Sequence, residues 1–248
     1  MNVVLLARDE VGPDGTARLV GARARHVVDV LRATSGQDIR VGIVDGPFGV
    51  GTVTTVGDAT VDLRCTFDDA VPSRPPVDLL LALPRPKVMR RLWAQLAAFG
   101  VGRIILTNAE RVERHYFDAH VLSPEIYTPL LIEGLQQARD TRLPLVTIAR
   151  RLKPLIEDEL EALCPVTVRI VLHPGADAPL DAVARAADVA TRILLAIGPE
   201  GGWNEFELAL LGAHGFVEAR MGSRTLRTDT ACVAALAIVS AAVRARRV

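Results

Sequence analysis

A proline-rich break, Val71-Pro72-Ser73-Arg74-Pro75-Pro76, divides this chain into two stretches whose apolar residues follow different periods. Proline fixes φ and lacks a backbone N–H, so neither a helix nor a strand ladder runs through such a segment, and it reads as a stiff linker. Before the break the apolar residues form short strand-like runs at Asn2 to Leu6, Thr16 to Val20, Asp38 to Val44, Gly51 to Val56 and Thr60 to Phe67. Between them lie Gly12-Pro13-Asp14-Gly15, Asp45-Gly46-Pro47 and Gly57-Asp58, turn formers because glycine tolerates positive φ and aspartate bonds its own backbone. The pattern predicts a small β-barrel domain over residues 1–71. One helix interrupts it, from Ala22 to about Arg32, with Val27, Val30 and Leu31 as its apolar stripe.

After the break, strands alternate with helices. The strands are expected at Val77 to Leu83, Arg103 to Thr107, Leu145 to Ile148, Thr167 to Leu172, Arg192 to Ile197 and Phe216 to Arg220. The helices are expected at Pro86 to Phe99, Pro124 to Ala138 behind a Ser123 cap, Pro154 to Leu163, Glu205 to Ala213 and Thr228 to Arg244. Such alternation implies an α/β domain, here residues 77–248, with a parallel sheet covered by helices. Asn204 with Glu207 three residues on has the form of a capping box, and Gly215 is the stop signal for that helix.

Half of the residues are apolar but only 4% are aromatic, so the cores must be built from Leu, Val, Ile and Ala. Formal net charge is zero, yet it is unevenly spread: residues 1–72 carry 7 basic and 10 acidic groups, residues 73–153 carry 13 and 7, and the remainder 9 and 12. A basic middle segment suits contact with phosphates, and equally a solvated, salt-bridged surface. Lys87 and Lys153 are the only lysines; the other cations are arginines, whose planar forks suit phosphates and stacking on bases. Cys65, Cys164 and Cys232 form no CxxC pair, which suggests neither a disulfide frame nor a zinc site and fits a reducing cytosol. No run approaches the length of a membrane span, and no export signal is visible at the N-terminus. GxSxG, GxxxxGK[ST] and HExxH patterns are absent, and metal catalysis is not expected.

Chemistry concentrates in two loops. The strand Ile193 to Ile197 runs straight into Gly198-Pro199-Glu200-Gly201-Gly202-Trp203-Asn204-Glu205, where backbone amides can approach a ligand without Cβ interference. Further on, Met221-Gly222-Ser223-Arg224-Thr225-Leu226-Arg227-Thr228-Asp229-Thr230-Ala231 ends another strand and opens a long apolar helix, with Thr228 and Asp229 in its first turn.

Together these loops resemble those of the SPOUT-class methyltransferases, and the pairing of IGPEGG with LRTDTA is similar to the bacterial 16S ribosomal RNA uracil-N3 methyltransferases. The resemblance spans essentially the whole chain and is strongest from Leu172 to Ala235. It implies a PUA-like RNA-binding β-barrel followed by a SPOUT α/β domain with a C-terminal trefoil knot, whose threading lays the two loops side by side. It further implies S-adenosyl-L-methionine as cofactor, 16S ribosomal RNA of the small ribosomal subunit as partner, a cytoplasmic homodimer, and methylation of a uridine N3.

The cofactor residues implied are Leu172, His173, Ile197, Gly198, Pro199, Gly201, Gly202, Met221, Gly222, Leu226 and Thr228. Methyl transfer from a sulfonium needs positioning and stabilisation of the developing anion; Arg227 is the candidate for that stabilisation and Glu200 the candidate base or orienting group. Arg8, Arg23, Arg25, His26, Arg32 and Arg224 are the candidate RNA contacts. Each residue also has a plainer reading: core packing for the leucines and isoleucines, satisfaction of loop amides for Glu200, and a solvated helix face for the basic residues of the first domain. Two segments depart from the family pattern, Glu133 to Asp140, where the usual glycine is lost, and Pro47-Phe48-Gly49. A methyltransferase of another RNA atom, or a non-catalytic RNA-binding factor in ribosome assembly, remain alternatives.

Overall fold

The computed structural model describes residues 3–165, 167–187 and 192–245. They form two compact units, residues 1–74 with 132–143, and residues 75–131 with 144–248.

The first unit is a five-stranded sheet of β1 (Val4–Leu6), β2 (Thr16–Val20), β3 (Asp38–Ile43), β4 (Phe48–Val56) and β5 (Thr60–Phe67), in the order β1-β3-β4-β5-β2. β1 runs parallel to β3 and the other pairs are antiparallel. Asn2, expected to open β1, lies outside the described residues. Alternating side chains face one core of Leu6, Leu19, Val27, Val41, Val53, Val61 and Leu63. The helix expected from Ala22 to Arg32 is instead an α-helical turn, α1 (Gly21–Arg25), widened into a π-helical turn over His26–Val30. It ends at Arg32, whose φ of 50° is left-handed. The widening lets Val27 reach the core while Val30, expected in the apolar stripe, stays exposed.

Residues 132–143 complete this unit. Val3 N donates to Gln136 O at 3.2 Å and Asp45 N to Thr141 O at 2.8 Å. Thr141, fully buried, donates its hydroxyl to Gly46 O at 2.6 Å. Thr141, directly after Asp140, is thus tied to the turn at Asp45 and Gly46.

The second unit is built on a six-stranded, wholly parallel sheet: β6 (Val77–Ala82), β7 (Val101–Thr107), β8 (Leu145–Ala149), β9 (Thr167–Leu172), β10 (Arg192–Ile197) and β11 (Phe216–Ala219), in the order β11-β9-β10-β6-β7-β8. β6 and β10 are buried along nearly their whole length, with residues 79–82 and 193–197 as uninterrupted apolar stretches, as strands covered on both faces must be. The helices are α2 (Pro86–Ala98), α3 (Pro124–Ala138, its second half counted with the first unit), α4 (Leu152–Pro154), α5 (Leu160–Leu163), α6 (Leu180–Ala186), α7 (Glu205–Ala213) and α8 (Thr228–Ala245). A π-helical turn over Leu155–Glu159 joins α4 to α5, in place of the plain helix expected from Pro154. α6 was not expected at all: seven residues behind Pro179, with only Leu180 and Ala184 buried, carry too short a stripe to read as a helix. Short 3₁₀ turns at Arg114–Asp118 and His120–Leu122 were likewise not foreseen.

α8 is long and apolar enough to cross a membrane by length and composition alone; in this fold Cys232, Ala235, Leu236 and Val239 bury one face of it. Cys65, Cys164 and Cys232 are buried thiols, and burial pushes Cys164 up to about 11 and Cys232 up to about 12.

One ion pair crosses the sheet. Asp78 of β6, 2% exposed, accepts from Arg192 Nη2 at 2.6 Å and Nε at 3.0 Å. Removing one partner strands the other, so Asp78→Ala is expected to lower the unfolding free energy by roughly 2–3 kcal/mol in denaturant titration, reduced from the fully buried case because Arg192 keeps some water.

A cleft at the carboxyl ends of the strands

In a parallel sheet every strand delivers its following loop to the same edge, the usual place for a ligand. Here the ends of β9, β10 and β11 open into one cleft, concave and largely apolar as small-molecule sites are. Leu172 and His173 enter it from β9, Ile197 to Glu200 with Gly202 and Trp203 from β10, and Ala219 to Gly222 from β11; Arg224 to Leu226 and Thr228 close it on the way into α8. Two loops remote in sequence therefore line one cleft.

The wall chemistry suits a flat, partly apolar ligand with polar edges. Leu172, Ile197, Met221 and Leu226 supply apolar surface. Gly198 lies against the indole of Trp203, where a Cβ would meet ring atoms at 3.0 to 3.2 Å. Gly222, at φ 143°, has open space before it, a backbone that other residues rarely adopt. Two buried polar atoms in the lining have no hydrogen-bond partner, Trp203 Nε1 and His173 Nδ1. The latter stands 3.3 Å from Glu218 Oε2, close enough for attraction but not aligned as a hydrogen bond. Orphaned buried groups of this kind are costly unless a ligand or water satisfies them. The residues present fit a nucleoside-like cofactor.

Of the expected cofactor residues, Leu172, His173, Ile197, Gly198, Pro199, Gly202, Met221, Gly222, Leu226 and Thr228 all line the cleft. Gly201 does not: its Cα faces Arg111, whose Cδ a Cβ would meet at 2.8 Å and whose guanidinium donates to Gly201 O. Glu200 stands at the cleft with Arg85 Nη2 3.5 Å from its Oε2. Arg227 is not part of the lining; it is exposed beside Thr228, which is buried in the cleft wall. Arg224 is exposed and does line the cleft.

Sequence reasoning missed the contribution of α2. Arg85 reaches Glu200, and Arg91 holds Asp229 at 2.9 Å in the first turn of α8; the basic run Arg85, Lys87, Arg90, Arg91 was the available signal. Trp203, too, carries no local signal in its loop that marks it as a wall of the cleft.

The loop is braced from below by the capping box of α7. Asn204 Oδ1 accepts from Glu207 N at 2.8 Å, while the buried Glu207 carboxylate accepts from Asn204 N at 2.9 Å and Glu110 N at 2.7 Å. Glu207→Ala leaves two amides unsatisfied and is expected to cost about 2 kcal/mol of stability, read as a lower denaturation midpoint.

In the first unit Arg8, Arg25 and Arg32 are exposed and His26 is half-buried. Arg23 is not presented freely: its fork holds Glu10, with Nη1 2.9 Å from Oε2 and Nη2 on Oε1, and this bonding keeps the Glu10 carboxyl below its ordinary range.

Residues 72–240 match the model of a family described as RNA methyltransferase domain. The chain is 32% identical to the ribosomal RNA small subunit methyltransferase E of Treponema pallidum, over 97% of this chain and 91% of that protein. It is 27% identical to the protein of the same name from Mycobacterium tuberculosis, over 96% and 92% of the two chains. In fold it is similar to the crystal structure of a ribosomal RNA small subunit methyltransferase E from Neisseria gonorrhoeae bound to S-adenosyl methionine, with a TM-score of 0.75 at 19% identity over 96% and 97% of the chains. A putative methyltransferase from Legionella pneumophila, in complex with the same cofactor, gives a TM-score of 0.73 at 22% identity over 98% of each chain.

Proposed function

The chain belongs to the RNA methyltransferase domain family, and on that premise we propose that it methylates the N3 of a specific uridine in 16S ribosomal RNA of the small subunit, with S-adenosyl-L-methionine as donor. The observation that carries this reading is the single cleft lined by both glycine-containing loops, with its orphaned Trp203 and His173 nitrogens. When bound, the cofactor supplies an electrophilic methyl group on a good leaving group.

The chain's own residues do the rest. Leu172, Ile197, Met221 and Leu226 sandwich the flat ring and exclude water, while Gly222 leaves the backbone open to polar edges. Glu200 takes the N3 proton or orients the imide, and Arg85 beside it holds its carboxylate in place. Arg227 stabilises the charge that develops on the uracil oxygens as that proton leaves. Arg224 anchors the incoming strand at the rim. Residues 1–71 act as a PUA-like RNA-binding barrel through Arg8, Arg25, His26 and Arg32, and residues 77–248 as a knotted SPOUT domain. The enzyme works in the cytoplasm as a homodimer, the commonest symmetric arrangement; the 32% identity to a relative named for the small ribosomal subunit supports the choice of substrate.

The test is nucleoside mass analysis of ribosomal RNA from cells lacking the protein. Loss of one N3-methyluridine, restored by the purified protein, is the expected result. Loss of a methyl group at another atom, or no loss, overturns the assignment.

A further inference from the structure

The carboxyl edge of the parallel sheet carries a second feature. Over the ends of β7 and β8 lie two adjoining hollows that share Asn108 and Arg151 in their walls. One of them is separated from the cofactor cleft by a single loop, since Trp203 lines the cleft and Asn204 lines the hollow.

Its chemistry is that of a nucleotide subsite. Phe206 on the first turn of α7 is 62% exposed, a flat apolar face turned to solvent. Arg114 and Arg151 make no ion pair among the described residues, whereas Arg150 is engaged by Asp118 and Lys153 lies 3.7 Å from Glu157. Asn108 Oδ1 is buried without a hydrogen-bond partner, and Glu110 adds an exposed carboxylate. Glu207 is already consumed by two backbone amides. An aromatic face beside unpaired guanidinium groups is how proteins hold an unstacked base and its phosphate. Acceptors such as Asn108 Oδ1 and Glu110 match the exocyclic amino groups of adenine, cytosine or guanine, which uracil lacks.

We propose that this hollow receives an amino-bearing nucleobase that neighbours the methylated base in the same RNA strand, stacked on Phe206, with Arg151 on its phosphate and Asn108 accepting from its amino group. This rests on the reading that the chain methylates RNA, and it adds a specificity subsite to that reaction.

The full-length protein should be titrated with short fluorescein-labelled oligo(A), oligo(C) and oligo(U) RNAs and followed by anisotropy. Wild type is expected to bind oligo(A) and oligo(C) more tightly than oligo(U). Phe206→Ala, a surface change, should weaken oligo(A) binding about tenfold. Arg151→Ala should weaken all three and lower the slope of log affinity against log salt by about one. Neither variant should alter cofactor affinity by calorimetry. Unchanged binding in Phe206→Ala, equal affinity for the three RNAs, or no wild-type binding overturns the proposal. So does a Phe206→Ala protein that turns from dimer to monomer in sedimentation, or that fails only on assembled subunits, since the hollow then meets a second copy or a ribosomal protein. Mass analysis of the wild-type product distinguishes the parent reading: a methyl group at another atom sinks that reading while leaving the base preference standing.

Discussion

Gly198→Val is expected to weaken S-adenosyl-L-methionine binding by about 100-fold or more, equivalent to roughly 2.7 kcal/mol, in calorimetric titration of the folded protein. Its first added carbon meets three atoms of the Trp203 indole at 3.0 to 3.2 Å. That ring is 5% exposed and has nowhere to retreat. Because Trp203 lines the cleft beside Gly198, displacing the indole reshapes the cleft at the end of β10. Overpacking of this kind costs about 1–3 kcal/mol of stability, so a thermal melt must first show that the variant is folded. Gly201→Val is the control: its Cβ meets only the flexible stem of Arg111, and affinity should stay within a few-fold. Normal affinity in Gly198→Val would mean that the cofactor does not lie against this strand end. Loss in both variants would mean that the loop as a whole, and not the indole contact, sets the pocket.

The contrast between these two glycines marks where sequence reading stopped. A strand running into a glycine-rich turn said that backbone would be exposed to a ligand, and the residues on both loops did converge on one cleft. Which side chain each glycine packs against, the rigid Trp203 indole for Gly198 or the flexible Arg111 stem for Gly201, depends on the fold, and Arg111 lies ninety positions away in the chain. No local pattern carries that. The strands of the second unit were legible for a simple reason: a buried parallel strand carries an uninterrupted apolar stretch, as residues 79–82 do in β6, 170–172 in β9 and 193–197 in β10. α6 was invisible because its burial rests on two residues, and the π-helical turns at His26–Val30 and Leu155–Glu159 because tertiary packing, not propensity, widens a helix. The basic middle of the chain was legible as charge but not as chemistry. Its arginines divide between bracing, as with Arg91 on Asp229 and Arg150 on Asp118, and open presentation, as with Arg114 and Arg151, a division that only the fold makes.

Arg227→Ala is expected to lower turnover by roughly 100-fold, the scale for removing a preorganised donor from a developing anion, while cofactor affinity stays within a few-fold. Its position supports this split. Arg227 does not line the cofactor cleft, so its loss removes no wall, yet Thr228 beside it does. Its side chain is exposed and makes no ion pair among the described residues, at the amino end of the eighteen-residue α8, where the helix dipole also favours negative charge. A uracil laid over the rim would bring its oxygens to that guanidinium at the moment negative charge builds. Arg227→Lys keeps the charge but loses the planar fork, and should fall between the two, about tenfold below wild type. Single-turnover methylation of 16S ribosomal RNA, with cofactor saturating, separates the outcomes. A drop in cofactor affinity with turnover unchanged would make Arg227 a pocket residue, and wild-type turnover in the alanine variant would move the charge-stabilising role to Arg224, which lines the cleft, or to Arg85, which stands beside Glu200.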